Sequence, residues 1–332
     1  MRVLVTGASG MLGGVVADRL SRRGDDVTVM QRRTAGRRHT EVLGDITDPA
    51  AVHAAAEGVE AIIHLAAKVD VVGRWEDYVA TNVEGTRNVI AAAREHDVRT
   101  LVHISSPSVA HVGHSLIGAG AAPADPGVRG HYARSKAMAE QIALAAHGDT
   151  LAVSAIRPHL VWGPGDTQLV GRIVARAHAG RLAMVGSGTA LVDTTYVDNA
   201  AQAILAAVDR IDDAGGQPLV VTNGEPRPIG ELVADICRAS GAPPPRWRVP
   251  YPLAWGAGGV IEGVTALSHR WSVVPSIEQP PLTRFLARQL ATAHWFDQRH
   301  TREVLRWTPE VSISRGLDIL RAHSSGPATV GR

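Results

Sequence analysis

Tyr132 and Lys136 stand four residues apart in HYARSKAMAEQ (131–141). The stretch reads as a helix, so the two side chains share one face. A phenol ordinarily titrates near 10 and is a poor base at neutral pH. An ammonium beside it favours the phenolate and is expected to lower that value. The chain has two lysines, Lys68 and Lys136, and otherwise draws its positive charge from arginine. A guanidinium spreads its charge over a planar fork, whereas an ammonium is a compact point charge with three rotatable donors. Lysine at 136 therefore points to a site that needs the point charge. A tyrosine and lysine at this spacing can also be an ordinary surface pair, but Tyr78, Tyr196 and Tyr251 have no lysine four residues on.

A third polar group comes from ISSPS (104–108), at the end of an apolar run. Parallel α/β sheets bind their ligands outside the carboxyl ends of the strands. A serine there can hold a substrate oxygen opposite the tyrosine. Ser106 is the first choice, with Ser105 and Ser108 as alternates. Ser106, Tyr132 and Lys136 are the candidate catalytic residues, and their chemistry is proton transfer at an oxygen.

TGASGMLGG (6–14) follows the first apolar run and places Gly7, Gly10 and Gly13 at a G-x-x-G-x-x-G spacing. Glycines there allow a tight turn and a close approach of backbone to a pyrophosphate, and the next helix offers its N-terminal amides to that anion. The loop through Ser9, Met11 and Leu12 is the expected cradle of a dinucleotide. Lys136 could then donate to the ribose hydroxyls of a nicotinamide nucleotide. The second strand ends in Gln31, Arg32 and Arg33, with no carboxylate for a ribose. Two guanidiniums suit a 2′-phosphate, so NADP(H) is the expected cofactor and NAD(H) the alternative. Asp45 and Ile46, after the third strand, are placed to flank the adenine. Ala66 and Ala67, after the fourth, leave room for the cofactor. Lys68 either reaches a cofactor phosphate or sits in a solvated loop.

These residues need elements to hold them. Strands are predicted at 2–7, 26–31, 40–44, 60–67, 99–106 and 150–158, with helices between them, the longest at about 76–95 and 131–147. Continuous apolar strands alternating with helices predict an α/β fold: a Rossmann-type doubly wound parallel sheet, with a smaller C-terminal substrate domain. Beyond 160 the alternation weakens, although 198–210 and 218–224 read as one more helix and strand. Residues 323–332 are expected to fray.

The 332 residues are 45% hydrophobic and 20% charged, the profile of a globular chain. The formal net charge is +2, without a dense basic tract, so nucleic acid is not an expected partner. One cysteine, Cys237, excludes an internal disulfide and fits a cytoplasmic setting. The most apolar stretch, 249–267, is broken by prolines, glycines and Glu262, so no transmembrane span is expected. HVGH (111–114) lacks a third ligand, and no metal site is expected. LAWGAGGVIEGVTAL (253–267), Trp255, Trp271 and Trp295 suggest an apolar substrate pocket.

TGASGMLG, HLAA, ISS, YARSK and RPHLVWGPGD, in this order, make the chain resemble the extended short-chain dehydrogenase/reductase superfamily, and TTYVDNAAQAI (194–204) extends the likeness. The tail, PPLTRFLARQLATAHWFD and then LRWTPEVSISRGL, resembles the 3β-hydroxysteroid dehydrogenase branch, which includes sterol dehydrogenases and bacterial reductases of long-chain β-keto acids. The resemblance implies that Tyr132 is the acid/base, Lys136 the ribose ligand and Ser106 the oxygen clamp. Pro158 to Val161 would lie along the nicotinamide. Residues 1–160 and 196–224 would form the dinucleotide domain, and 161–195 with 225–322 the substrate domain. A homodimer through the two long helices is implied in the same way. The implied activity is hydride transfer between NADPH and a ketone or secondary alcohol on a hydrophobic skeleton, with Lys136 and the oxidised nicotinamide lowering the tyrosine pKa. His103 and Ile104 before the serines, and LRWTP in the tail, depart from the usual pattern. Two alternatives stay open: a nucleotide-sugar epimerase or dehydratase on the same fold, and a regulator that senses NADP(H) without turnover.

Overall fold

Seven apolar runs pair side by side, all in parallel, in the computed structural model, which describes residues 1–34, 36, 39–70, 73–110, 114–270 and 290–325. They are β1 (Arg2–Thr6), β2 (Asp26–Gln31), β3 (Thr40–Leu43), β4 (Ala61–His64), β5 (Thr100–Ile104), β6 (Ala152–Pro158) and β7 (Pro218–Val221). The spatial order is β7-β6-β5-β4-β1-β2-β3. Such a sheet must be covered on both faces, which is why its strands lack a polar alternation. Side chains still alternate in direction. Val3 and Val5 enter one core with α1 (Met11–Arg23), and Leu4 enters the other with α2 (Pro49–Ala56) and α3 (Gly85–Glu95). The helix α4 (His131–Ala145) adds Ala143 to that second core, and α5 (Val197–Asp209) adds Ala201 and Ile204 to the first. The fold class expected from the sequence is the one observed.

Helix ends follow local chemistry. Gly24 closes α1 in the left-handed conformation at φ 96°, where its lack of a Cβ removes the steric penalty. Asp48 caps α2 by accepting from the Ala50 amide at 3.0 Å, with Pro49 at the first helical position.

Some boundaries differ from expectation. β4 stops at His64, because the Ala66 amide turns to the Thr6 hydroxyl at 3.2 Å. The helix expected at 76–95 starts at Trp75 and contains a π segment, Val79–Glu84, before α3. Such wide turns often mark functional sites. The final helix, Ile313–Ser325, takes in 323–325, which were expected to fray.

Segments outside the seven-stranded sheet, with Leu116–Ala119 drawn from between β5 and β6, build a second lobe. Its four-stranded sheet runs Arg227–Pro228, Leu191–Val192, His294–Phe296 and Leu116–Ala119. Trp162, Tyr196, Ile236 and Leu317 pack in its core. Trp307, from the LRWTP stretch of the tail, joins the core of the large sheet and is buried. Among the described residues no helix is long and apolar enough to cross a membrane.

Gly13 holds α1 against the first loop. A Cβ there would stand 2.4 Å from the Gly7 carbonyl oxygen. Replacing Gly13 with alanine should therefore cost about 1–3 kcal/mol in urea unfolding and displace the loop. A variant as stable as the parent would contradict this close approach.

Candidate active site

The nucleotide side starts where β1 meets α1. Gly7 adopts φ 77° and donates to the Met30 carbonyl at 3.0 Å. A Cβ on Gly7 would lie 2.8 Å from the Ala66 nitrogen. The Gly10 amide donates to the Gly7 carbonyl at 3.1 Å, and no side chain caps α1. Ser9 and Gly10 are exposed, and Met11 and Leu12 are half-buried. Backbone thus lies bare where a Cβ would otherwise stand, beside a helix N-terminus. The cradle fits a pyrophosphate.

At the end of β2, Arg32 and Arg33 are exposed, while Gln31 is buried and donates through Nε2 to Glu41 on β3. Glu41 was missed in the sequence because it belongs to the neighbouring strand. Asp45 closes its own turn, accepting from the Thr47 amide at 3.0 Å and hydroxyl at 2.9 Å. The Ile46 side chain packs into the core against Gly85, and its carbonyl accepts from Asn88 at 3.1 Å. The Ile46 side chain is therefore turned inward, toward α3.

Ala66 and Ala67 follow β4 and are half-buried. The Lys68 ammonium turns to Asp70 at 3.1 Å and lies over the Tyr78 ring. The backbone of Lys68 is clamped by Asn82, which accepts from its amide at 2.7 Å and donates to its carbonyl at 3.1 Å. Asn82 also donates to Ser135 on α4 at 2.9 Å. It sits in the π segment and links the loop after β4 to the helix of Tyr132 and Lys136. Sequence reasoning missed it; an asparagine inside an otherwise helical stretch was the available signal.

The structure brings Ser106 and Tyr132 together. Ser106 follows β5, in a turn where its hydroxyl meets Ser108 at 2.9 Å, and it lies close enough to the Tyr132 phenol to act on its titration. Ser105 points elsewhere: its hydroxyl is buried and unpartnered. Tyr132 lies in the first turn of α4. Burial raises its pKa above the ordinary value, and the Ser106 hydroxyl acts in the opposite direction. The expected lowering by Lys136 is not the balance found here. The Lys136 ammonium points to the Ile104 carbonyl, to which it donates. A phenol raised by burial keeps its proton at neutral pH and is suited to act as an acid.

Lys136 is 3% exposed. Burial pulls its pKa down to about 8, and the Glu140 carboxylate, one turn further along α4, works to raise it. Glu140 is itself bound by Arg157 on β6, with Nε to Oε2 at 2.8 Å, and both side chains are 1% exposed. Arg157 also donates to the Ala122 carbonyl at 2.7 Å. Two buried imidazoles, His64 and His103, face each other across β4 and β5 with ring centroids 5.4 Å apart. Burial and then the Lys136 charge push His64 down to about 3 and His103 well below its usual value. Both stay neutral, so they add no positive charge beside the ammonium.

Pro158 is buried at the end of β6, and Val161 pairs with Thr195 across a short parallel bridge. Leu160 between them holds φ 43°, a left-handed conformation costly for a branched side chain. The His159 amide donates to Val221 at 3.1 Å, and its ring meets the Asp193 carbonyl at 2.6 Å. Trp295, expected in a substrate pocket, lines a cavity of about 500 Å³ with Phe296, Asp193 and Arg302, and none of the three candidate catalytic residues lines it. Trp255 lies on the helix Tyr251–Arg270 and is exposed. Trp271 and residues 111–113 lie outside the described residues.

A parallel sheet with a bare glycine cradle at its carboxyl edge defines a Rossmann-type, nucleotide-dependent enzyme. The chain belongs to the NAD dependent epimerase/dehydratase family, whose profile matches residues 3–221. It is 40% identical over 335 residues to the 2-alkyl-3-oxoalkanoate reductase of Stenotrophomonas maltophilia, covering 98% of this chain and 100% of that one. It is 36% identical over 334 residues to the Shewanella oneidensis protein of the same name, covering 96% and 85%. Among solved structures, the UDP-glucuronic acid 4-epimerase of Bacillus cereus in complex with NAD superposes with a TM-score of 0.73 at 19% identity, covering 98% of each chain. The protein is an NAD(P)-dependent enzyme of the oxidoreductase/epimerase class.

Glu140→Gln tests the charge balance. The Lys136 ammonium is present below about pH 8 and is lost above it, so activity that needs it should fall on the alkaline side. Without the carboxylate the lysine gives up its proton sooner, and the alkaline limb of kcat/KM should move to lower pH. Stability runs the other way: from about 8 toward 10.5 the unfolded lysine is protonated and the folded one is not, so raising pH relieves the burial cost. An alkaline limb that stays in place would remove Glu140 from this role.

Proposed function

We propose that the chain is an NADP(H)-dependent oxidoreductase that interconverts a ketone and a secondary alcohol on a hydrophobic substrate, with a 2-alkyl-3-oxoalkanoate, a β-keto acid, as the favoured class. The observation that carries this is the Ser106–Tyr132 hydroxyl pair at the end of β5, one helical turn from buried Lys136. Likeness to two 2-alkyl-3-oxoalkanoate reductases over nearly all of this chain supports it. It draws on the residues in these roles: Gly7, Ser9, Gly10, Met11, Leu12 and Gly13 at the pyrophosphate, Arg32 and Arg33 at a 2′-phosphate, and Asp45 and the Ile46 backbone near the adenine. Ala66, Ala67, Pro158 and Val161 would border the nicotinamide side, with the substrate held by the lobe of 161–195 and 225–322.

The nicotinamide nucleotide, when bound, supplies the hydride. Tyr132 donates its phenolic proton to the substrate oxygen, and Ser106 holds that oxygen by a hydrogen bond. Lys136 offers donors toward the ribose and a positive charge that favours the phenolate left behind. Asn82 positions the loop after β4 against α4.

A second reading, a nucleotide-sugar epimerase or dehydratase, is the one that the family profile and the fold of the Bacillus cereus epimerase favour. Against it stand the two reductase relatives and the absence of an acidic pair in ISSPSVAHVG (104–113). Loss of NADPH absorbance with a series of 2-alkyl-3-oxoalkanoates, set beside epimerisation of UDP-sugars with NAD, separates the two. Sugar epimerisation without ketone reduction would replace the first reading by the second, and cofactor binding without either turnover would favour a sensor.

Tyr132→Phe should lower kcat by about 10²–10⁴-fold while NADPH binding is nearly unchanged. Undiminished turnover would reject the acid role. Replacing Arg32 and Arg33 together by alanine should weaken NADPH by about tenfold or more and leave NADH little changed, as expected for lost charge-assisted bonds to a phosphate. Equal losses for both nucleotides would remove the 2′-phosphate assignment.

A further inference from the structure

The helices α2 and α3 lie against each other over one face of the sheet and lead into β4 and β5, so their C-termini meet at its amino edge, the end opposite Tyr132 and Lys136. His53 is in the last turn of α2. Glu95 is the last residue of α3, and His96 is its C-cap, whose amide donates a hydrogen bond to the Ala92 carbonyl at 3.0 Å. His53 Nδ1 and Glu95 Oε2 are 3.1 Å apart, and the two imidazole rings are 5.7 Å apart at a tilt of 58°. One ligand atom from each of the three residues lies within 4.8 Å of the others. The Nε2 of His96 is shielded from solvent and has no hydrogen-bond partner.

We propose that His53, Glu95 and His96 bind one divalent transition-metal ion of the zinc class, with water as the fourth ligand. Two imidazoles and a carboxylate form a donor set that zinc accepts, with bonds of about 2.0–2.2 Å, which places tetrahedral donors about 3.4 Å apart. The His53–Glu95 pair is already near that spacing. A side-chain rotation brings in the third ligand, and it gives the unpartnered His96 nitrogen an electron-pair acceptor. Two helix C-termini converge here, and their partial negative charge favours a cation. Magnesium and calcium prefer sites made of oxygen alone, so the nitrogen donors select against them. The ion would clip α2 to α3 at one end, while at the other Asn88 of α3 already holds the Ile46 carbonyl ahead of α2. This site is independent of the catalytic reading above, because it shares no residue with it.

The test uses the full chain without a histidine tag, freed of metal by a chelator and titrated with zinc chloride in a calorimeter. One ion per chain and a raised Tm are expected, with no effect of magnesium chloride. Cobalt(II) should give the visible absorbance of a tetrahedral site. His53→Gln and His96→Gln should each weaken zinc binding by about tenfold or more, and circular dichroism should show both variants folded. Should zinc fail to bind the parent, or bind the doubly substituted chain with unchanged stoichiometry and affinity, the assignment is overturned. If the variants unfold, a cobalt spectrum of the parent that is not tetrahedral overturns it equally.

Discussion

A buried ammonium organises the centre of this protein. Lys136 is almost wholly removed from water, and an isolated charge there would be expelled or neutralised. Its surroundings act against that outcome. The Ile104 carbonyl accepts a hydrogen bond from it, Glu140 supplies opposite charge from the next turn, and the two nearby imidazoles stay neutral. Glu140 in turn needs Arg157, since an unpaired buried carboxylate would be as costly as an unpaired ammonium. The Glu140–Arg157 pair therefore ties α4 to β6 and, through Ala122, to the loop that precedes α4, with the Lys136 charge one turn away. Pro158 directly follows Arg157, so the same network fixes the strand end beside the proposed nicotinamide site.

Ser106 and Tyr132 depend on this arrangement. β5 delivers Ser106, and α4 delivers Tyr132 and Lys136, so the three groups meet only if helix and strand are locked in register. Asn82 supplies a second lock from the π segment, holding the loop after β4 to Ser135. The pKa balance of Tyr132 shows how the parts divide. Burial and the serine hydroxyl act on it here, while the lysine points past it to Ile104.

Much of the fold was readable because it rests on local rules. Val3-Leu4-Val5 and Ile62-Ile63 are continuous apolar runs, which a sheet covered on both faces requires. Gly24 ends α1 for a reason stated by its own backbone. The glycine loop was legible because spacing and position in the chain carry the signal. Glu41, Asn82 and Arg157 were not, since each acts on a residue 10 or more positions away. The inward turn of Ile46 was hidden too, because Gly85, which receives it, lies 39 residues further on.

The sequence by itself determined which groups are available: a lysine where arginine is the habit, a tyrosine one turn before it, serines after an apolar run, and glycines that leave room for a ligand. Those are properties of residue type and short spacing, set by covalent geometry and helical or strand periodicity. Only the tertiary structure decided the protonation balance of Tyr132 and Lys136, the direction in which Lys68 and Ile46 point, and the meeting of His53 with Glu95 and His96. Each of these depends on burial and on charges from other elements, and distance through space is not encoded in distance along the chain.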